Sequence, residues 1–156
     1  VDWWCDYYLD KEPPLLEMIE SGLKGISFGI ETGSERLQKE ILGKVMNLNI
    51  VRKVFKELKK YGIPFQALFI VGFPTETKED LEKTKELYSL AKECSSFEPS
   101  VSPLYMIDGT QMGIEAEKYK KNKNIPFEYG FNPYFSKEDL KNRVRYLQGK
   151  IALEDL

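Results

Sequence analysis

The chain contains no histidine. Histidine is the side chain whose charge changes most readily near neutral pH, and it is the commonest protein ligand for metals. A zinc centre of a hydrolase and a serine nucleophile activated by histidine are therefore excluded within these 156 residues. Acid–base or cofactor chemistry here must use carboxylates, lysines, hydroxyls or the backbone.

Cysteine is also scarce, because Cys5 and Cys94 are the only two. Thiols so far apart in sequence lack the close spacing that is typical of zinc and iron–sulfur sites. This usage favours a reducing compartment in which both thiols are buried and inert.

Other absences limit the partners. Lys and Arg number 23 against 25 Asp and Glu, so the basic excess that nucleic-acid binding requires is missing. No apolar run approaches the ~20 residues of a membrane-spanning helix, and no signal-peptide core opens the sequence. We therefore expect a soluble, cytoplasmic protein that binds neither nucleic acid nor a membrane. The length predicts a single domain over residues 1–156, short of the ~200 or more residues of a closed eight-stranded barrel.

The most informative feature present is a pair of strand-to-helix junctions. Residues 25–34 (GISFGIETGS) and 68–77 (LFIVGFPTET) each read as a buried strand that runs directly into a helix start. Such junctions place small and polar residues, with free backbone N–H groups, at the carboxyl ends of neighbouring parallel strands. α/β proteins bind their ligands at that edge of the sheet.

The hydrophobic pattern predicts about four parallel strands. They are expected near residues 1–8, 26–31, 65–72 and 99–106. The third of these is apolar nearly throughout, as expected of a strand covered on both faces. The fold class is therefore α/β, an open partial (β/α) barrel.

Helices are predicted between and after these strands. A short helix begins at Pro13, and later helices are capped by Thr32 or Ser34, by Asn47 and by Thr77. A long polar connection over residues 108–133 then leads to a closing helix over residues 136–151, which begins with a Ser136–Asp139 capping pair.

Side chains alternate across a strand, which divides residues 26–31 into two faces. The isoleucines and Phe28 form a bulky face that should pack under the outer helices. Ser27, Gly29 and Glu31 form the opposite face and should line the barrel interior, where a ligand would lie.

These motifs resemble a known family. The G-I-E-T-G-S of residues 29–34 with Lys44 after it, and the F-I-V-G-F-P-T-E-T of residues 69–77, are similar to the second half of the radical S-adenosylmethionine fold. The resemblance is strongest to the cobalamin-associated enzymes related to the anaerobic Mg-protoporphyrin monomethyl ester oxidative cyclases. Residues 107–110 (IDGT) and 132–136 (NPYFS) resemble segments that follow the last barrel strand in that family.

The resemblance implies S-adenosylmethionine and a [4Fe–4S] cluster as cofactors of the parent protein, with cobalamin as a further possibility and a small-molecule substrate. In the family, three cysteines spaced C-x-x-x-C-x-x-C hold the cluster. Cys5 and Cys94 cannot supply that loop, so the chain corresponds to the C-terminal part of the barrel. We expect it to be inactive alone, with the missing N-terminal half of the barrel as its partner.

The resemblance also implies cofactor-binding residues, although none that are catalytic or metal-binding. Glu31 would contact the sugar or methionyl part of the cofactor, and Lys44 its carboxylate or the surroundings of the cluster. The turn after the third strand resembles a shelf for adenine, where Gly72 lets the backbone approach a planar ligand. Strand parity adds Ser27 and Ser102, which should face the interior, although Ser102 can also simply fill space. The complete set is Ser27, Glu31, Thr32, Ser34, Lys44, Gly72, Phe73, Pro74 and Ser102.

Several of these residues also have a plain structural explanation. Thr32 and Ser34 can simply cap a helix, Glu31 can satisfy N–H groups at a helix start, and Lys44 can be solvated. Thr75 stands where the family has glycine. Because a β-branched residue avoids positive φ, we expect the turn to differ here, or glycine not to be needed for its conformation.

Two other functions are compatible with the sequence. One is a non-catalytic α/β module that binds a nucleotide or a partner protein. The other is an unrelated (β/α) enzyme piece that uses carboxylates such as Glu31 and Asp6. Whatever the function, an open sheet exposes two strand edges, which predicts homo-oligomers formed through an edge strand or the interior face unless residues 108–133 fold back to cover it.

The cysteine count provides a direct test. The purified chain, reconstituted anaerobically with iron and sulfide, should stay essentially colourless because two isolated thiols cannot hold a [4Fe–4S] cluster. Absorbance spectroscopy and iron analysis measure the outcome. A stable cluster spectrum with about four irons per chain would contradict the assignment of the missing part.

Overall fold

The chain forms one open parallel sheet. The computed structural model describes residues 13–44, 46–117 and 130–156. Three strands pair in parallel in chain order: β1 (Ile26–Glu31), β2 (Phe65–Val71) and β3 (Ser100–Pro103). The predicted α/β class and open sheet are confirmed, whereas the strand predicted over residues 1–8 lies outside the described residues.

Helices connect and follow the strands. They are α1 (Pro13–Glu20), α2 (Glu35–Glu40), α3 (Leu48–Lys60), α4 (Lys78–Cys94), α5 (Gln111–Ala116) and α6 (Lys137–Leu147), with a 3-10 turn at Leu153–Asp155. Within the described ranges, none of these helices has both the length and the apolar character needed to cross a bilayer.

The helix caps follow the sequence closely. Ser34 and Asn47 accept hydrogen bonds from backbone N–H groups at the starts of α2 and α3. Thr77 and Ser136 form complete capping boxes at α4 and α6. The sequence does not predict α5, which Thr110 caps within the connection that reads as polar loop.

The helices pack on the bulky face of the sheet. Phe28 of β1 and Phe65 of β2 meet Phe55 of α3, whose ring stacks on that of Phe65 with centroids 4.5 Å apart. Burying each such ring stabilises the fold by ~1.5–3 kcal/mol. A second cluster attaches α6 to the sheet and α4 through Val71, Leu81, Tyr146 and Leu147.

The opposite face of the sheet, here called the inner face, is open. Along β2, buried side chains alternate with the half-buried Gln66, Leu68 and Ile70. Ser27 on β1 and Ser102 on β3 are exposed. The expectation that β2 is covered on both faces is not met in the described part of the chain, because α3, α4 and α6 pack on the bulky face and the side chains of the inner face stay half-buried.

The closing helix is tied to the strand ends by polar groups. Glu76 Oε2 accepts hydrogen bonds from the Gly72 N–H at 2.9 Å and from Arg143 Nη1 at 2.6 Å. Asn132 Nδ2 donates to the carbonyl oxygens of Gly72 at 2.9 Å and of Leu104 at 3.0 Å. These contacts hold the carboxyl ends of β2 and β3 against α6.

The buried Glu76 predicts a pH dependence of stability. Burial raises the pKa of Glu76 from 4.5 to about 7, although the Gly72 N–H and the charge of Arg143 oppose the change. Between these values the folded state keeps a proton that the unfolded state has released. The free energy of unfolding should therefore fall as the pH rises from 4.5 through about 7, by at most about 3 kcal/mol. Urea unfolding at a series of pH values measures this fall.

Glu76→Gln should flatten the slope, because an amide does not titrate. Glu138→Gln is the matched control, since Glu138 is an exposed carboxylate of α6, and this variant should keep the slope. A wild-type stability that rises across this window, or an unchanged slope in Glu76→Gln, would contradict the assignment.

Candidate functional site

β1 ends in an irregular turn that places Glu31 over the inner face. The strand register shifts between Gly29, which pairs with Leu68, and Glu31, which pairs with Phe69. This shift is a β-bulge, and Glu31 adopts a left-handed φ of 70°. A Cβ at position 29 would lie only 2.7 Å from Glu31 Oε1, so the carboxylate folds back over the strand. Gly29 is therefore required for the position of this carboxylate.

Lys44 meets Glu31 at this turn. Its Nζ donates to Glu31 Oε1 at 3.4 Å, and the two side chains are 41% and 21% exposed. An ion pair this accessible contributes at most about 1 kcal/mol to stability. The pair can therefore open at little cost, and it offers one cation and one anion side by side to a zwitterionic ligand.

Ser27 and Ser102 are the outlying polar residues of the inner face. Ser27 pairs with Gln66, and Ser102 pairs with Ile70 on the other side of β2. Because neighbouring strands lie about 4.8 Å apart, β1 and β3 are separated by about 10 Å. Gln66 and Ile70 lie four residues apart along β2, about 13 Å, so the two hydroxyls are roughly 16 Å apart and only an extended ligand lying obliquely across β2 would reach both.

The structure places Thr32 and Ser34 away from the inner face, and both residues are fully buried. Ser34 caps α2 and donates to Asp80 Oδ1 at 2.5 Å. The Thr32 hydroxyl lies 3.0 Å from the Thr84 hydroxyl. The Thr84 hydroxyl also accepts a hydrogen bond from the Gly33 N–H at 3.0 Å. These hydroxyls hold the turn after β1 against α4. The cofactor contacts inferred for them stay predictions.

Gly72, Phe73 and Pro74 form the turn after β2. Gly72 has a φ of 88°, and a Cβ there would overlap the side chain of Leu140 in α6. Packing against α6 is thus sufficient to explain this glycine. Phe73 is fully buried and Pro74 is partly exposed. Their contact with an adenine ring stays a prediction.

Thr75 contradicts an expectation from the sequence. It adopts a φ of 62°, in the left-handed region that a β-branched residue should avoid. Arg36 compensates for this conformation, because its Nη2 donates to the Thr75 carbonyl oxygen at 2.9 Å and its Nη1 to Thr75 Oγ1 at 3.2 Å. The sequence does not reveal this role of Arg36, because a charged residue on a short helix is ordinarily expected to point into solvent.

Asp80 joins this turn to α2. Its carboxylate accepts hydrogen bonds from Ser34 Oγ and Arg36 Nη2, both at 2.5 Å, and from the N–H and hydroxyl of Thr77. Burial alone would raise the pKa of Asp80, but the hydrogen bonds from Arg36, Ser34 and Thr77 outweigh it and hold that pKa well below the ordinary range. Asp80 is therefore ionised at neutral pH.

Gln38 supports the end of β1 in a similar way. The side chain is 1% exposed, and its Nε2 donates to the carbonyl oxygens of Ile30 at 2.7 Å and Thr32 at 2.9 Å, on either side of Glu31. Its Oε1 has no hydrogen-bond partner among the described residues. The sequence carries no signal for this role, because the contact depends on the bulge.

The residues in hand fit some cofactor groups and not others. The described ranges contain no group of three His, Cys, Asp or Glu side chains arranged to hold a metal ion. Cys94 is buried and burial raises the pKa of its thiol, while Cys5 lies outside the described residues. These residues do not fit an iron–sulfur cluster. The Glu31–Lys44 pair on the open inner face does fit the charged groups of S-adenosylmethionine.

Comparison with known proteins agrees with these motifs. Residues 5–88, more than half of the chain, match the Radical SAM superfamily. Cytidylyl-2-hydroxyethylphosphonate methyltransferase of Streptomyces wedmorensis is 29% identical over 98 residues, which cover 61% of this chain and 18% of that protein. The tRNA-2-methylthio-N(6)-dimethylallyladenosine synthase of Anoxybacillus flavithermus is 27% identical over 124 residues, or 72% of this chain and 23% of that protein.

An uncharacterised protein of Methanocaldococcus jannaschii is 32% identical over 106 residues, which cover 67% of this chain and 24% of that protein. The chain thus spans less than a quarter of the length of these curated relatives. The narrower resemblance to the oxidative cyclases stays a prediction. From the match over residues 5–88 and the motifs at two strand ends, the chain belongs to the radical S-adenosylmethionine superfamily.

Proposed function

We propose that the inner face forms the adenosine side and part of the methionyl side of the S-adenosylmethionine site in a radical enzyme. The observation that carries this proposal is the Glu31–Lys44 pair, which lies at an open strand end beside a β-bulge. Family membership implies S-adenosylmethionine and a [4Fe–4S] cluster in the parent protein. In that family the cofactor supplies a 5′-deoxyadenosyl radical, and the protein supplies binding and orientation.

The residues of the inner face match the functional groups of this cofactor. The Glu31 carboxylate accepts hydrogen bonds from ribose hydroxyls or from the methionyl ammonium group, and the Lys44 ammonium group pairs with the methionyl carboxylate. Ser27 and Ser102 offer hydroxyls that can donate or accept. The N–H and carbonyl of Gly72 are already bonded to Glu76 and Asn132, so the adenine edge would meet the remaining backbone groups of Phe73 and Pro74.

We further propose that this chain is part of a longer enzyme and is inactive alone. The three relatives described above extend to more than four times the length that the chain matches. With Cys5 and Cys94 as its only cysteines, the chain would rely on a separate N-terminal half of the barrel for the cluster ligands. Cobalamin binding and a cytoplasmic location also stay predictions.

Transfer of a methyl or methylthio group to a substrate is the reaction class that we propose. Its support is the names of two relatives, a cytidylyl-2-hydroxyethylphosphonate methyltransferase and a tRNA-2-methylthio-N(6)-dimethylallyladenosine synthase. The motif resemblance instead favours an oxidoreductase of the cyclase type, acting on a small molecule. Both reactions would use the inner face to bind S-adenosylmethionine.

S-adenosylmethionine should bind the isolated chain with a Kd of about 1 mM or weaker, because the inner face supplies only part of the contacts with the cofactor. Backbone amide shifts in an NMR titration should change around Ser27, Glu31 and Ser102. Glu31→Gln and Lys44→Met should each weaken these changes, since each removes one charge. Glu35→Gln is the matched control, because Glu35 is an exposed carboxylate of α2.

Micromolar affinity that survives Glu31→Gln would contradict this placement of the site. Shift changes confined to residues of the outer helices would contradict it as well. If adenosine alone binds as tightly as S-adenosylmethionine and Lys44→Met has no effect, the non-catalytic nucleotide-binding module becomes the better description.

A further inference from the structure

Two residues other than glycine adopt positive φ in the described part of the chain. They are Glu31, at the end of β1, and Thr75, in the turn after β2. Such conformations are costly for residues with a Cβ, and they persist only where the surrounding structure holds them. Both lie at the carboxyl ends of neighbouring parallel strands, which is the edge where the proposed cofactor site lies.

The same short helix holds both residues. Gln38 of α2 donates to the carbonyl oxygens on either side of Glu31, at 2.7 and 2.9 Å. Arg36, two residues earlier in α2, donates to the carbonyl and hydroxyl oxygens of Thr75 at 2.9 and 3.2 Å. Asp80 fixes α2 itself, because it accepts from Ser34 at the helix start and from Arg36.

We propose that Arg36 and Gln38 are positioning residues of the S-adenosylmethionine site: each holds one left-handed strand-end residue, so that α2 sets the geometry of the site at both strands. The inference rests on the proposed function for its ligand. The two residues do not touch the ligand. Gln38 acts through the Glu31 carboxylate, and Arg36 acts through the turn that contains Gly72 and Pro74.

The inner face explains why the Gln38 contact matters for a ligand. In the shifted register Glu31 pairs with Phe69, whose side chain belongs to the core under the outer helices. The left-handed φ turns the Glu31 carboxylate back over Gly29, where it meets Lys44. Without the two hydrogen bonds from Gln38, the peptide groups around Glu31 lose their buried donor and are free to rotate. The carboxylate would then leave the inner face.

The exposure of Arg36 distinguishes positioning from core stability. Its side chain is 35% exposed, whereas that of Asp80 is 4% exposed. Hydrogen bonding to Asp80 raises the pKa of Arg36, so the guanidinium is charged at every working pH. Replacing Arg36 removes donors from the Thr75 turn and the charged partner of Asp80, without emptying any space in the hydrophobic core.

NMR of the ligand-free chain tests the role proposed for Gln38, because backbone amide and Cα chemical shifts report φ. Gln38→Leu should move Glu31 out of the left-handed region. Lys39→Leu is the matched control, since it introduces the same residue at the adjacent, exposed position of α2, and it should leave Glu31 unchanged. Chemical shifts typical of a left-handed φ at Glu31, in a Gln38→Leu variant that folds, would overturn the role proposed for Gln38.

Hydrogen exchange tests the role proposed for Arg36 and remains informative even if the Gln38→Leu variant does not fold. The Glu76 N–H donates to the Phe73 carbonyl oxygen at 3.1 Å and so reports on the turn. Arg36→Ala should accelerate its exchange by about tenfold or more. Glu40→Ala is the control, because it removes another partner of Arg36 but leaves the Thr75 contacts intact.

Adding Thr75→Gly to Arg36→Ala should restore slow exchange, because glycine adopts positive φ without a steric penalty. This rescue separates the proposed role from a general loss of charge, which a glycine at position 75 would not repair. Equal exchange in Arg36→Ala and Glu40→Ala, or an acceleration that Thr75→Gly leaves in place, would overturn the assignment of Arg36.

Titration with S-adenosylmethionine separates this inference from the proposed function. In the wild-type chain the cofactor should shift the Glu31 amide, and in Gln38→Leu that shift should be lost while the chain stays folded. If the ligand-free results hold but the cofactor shifts no inner-face residue of the wild type, the proposed function fails and the roles of Arg36 and Gln38 in the two turns stand. If the ligand-free results fail, the inference fails whatever the cofactor does.

Discussion

The carboxylate of Asp80 is the interaction on which the carboxyl edge of the sheet, the proposed ligand edge, depends. It completes the capping box of α4 with Thr77, accepts from the Ser34 that caps α2, and anchors the Arg36 that supports Thr75. Hydrogen bonds to a charged group contribute ~1.5–3 kcal/mol each, about twice the value of neutral ones. One buried charge therefore links two helix starts and one strand-end turn. The turns after β1 and β2 cannot move independently while it is ionised.

The two faces of the sheet separate the contacts that stabilise the fold from the proposed ligand site. On the outer side, Phe28, Phe55 and Phe65 form the centre of a continuous apolar core, and that side holds the strands in register. On the inner side, the most prominent polar contact is the accessible Glu31–Lys44 pair, which contributes little to stability. Substitutions of the polar residues on the inner face can therefore alter the proposed site without unfolding the domain. This separation is what the alternation of side chains along a β-strand makes possible.

Local patterns in the sequence predict much of this structure, because strands, caps and face parity depend on neighbouring residues. The capping boxes at Thr77 and Ser136 and the alternation of faces along residues 26–30 are of this kind. The left-handed φ of Thr75 is not predictable in this way, because the Arg36 that holds it comes from another helix 39 positions earlier. The bulge at Glu31 likewise depends on pairing with β2. Tertiary contacts overrule local preference at both places.

Strained residues at a strand end need partners, and this requirement couples positions that are distant in sequence. Glycine at position 75 would adopt the observed φ unaided, so arginine at position 36 would then be free to change. Threonine at position 75 is compatible with the same turn only while a donor reaches its carbonyl and hydroxyl oxygens, as Arg36 does. Support from α2 therefore allows a residue with a Cβ to adopt a left-handed conformation at this turn. The departure from the family motif at Thr75 is for this reason compatible with a left-handed turn at this edge of the sheet.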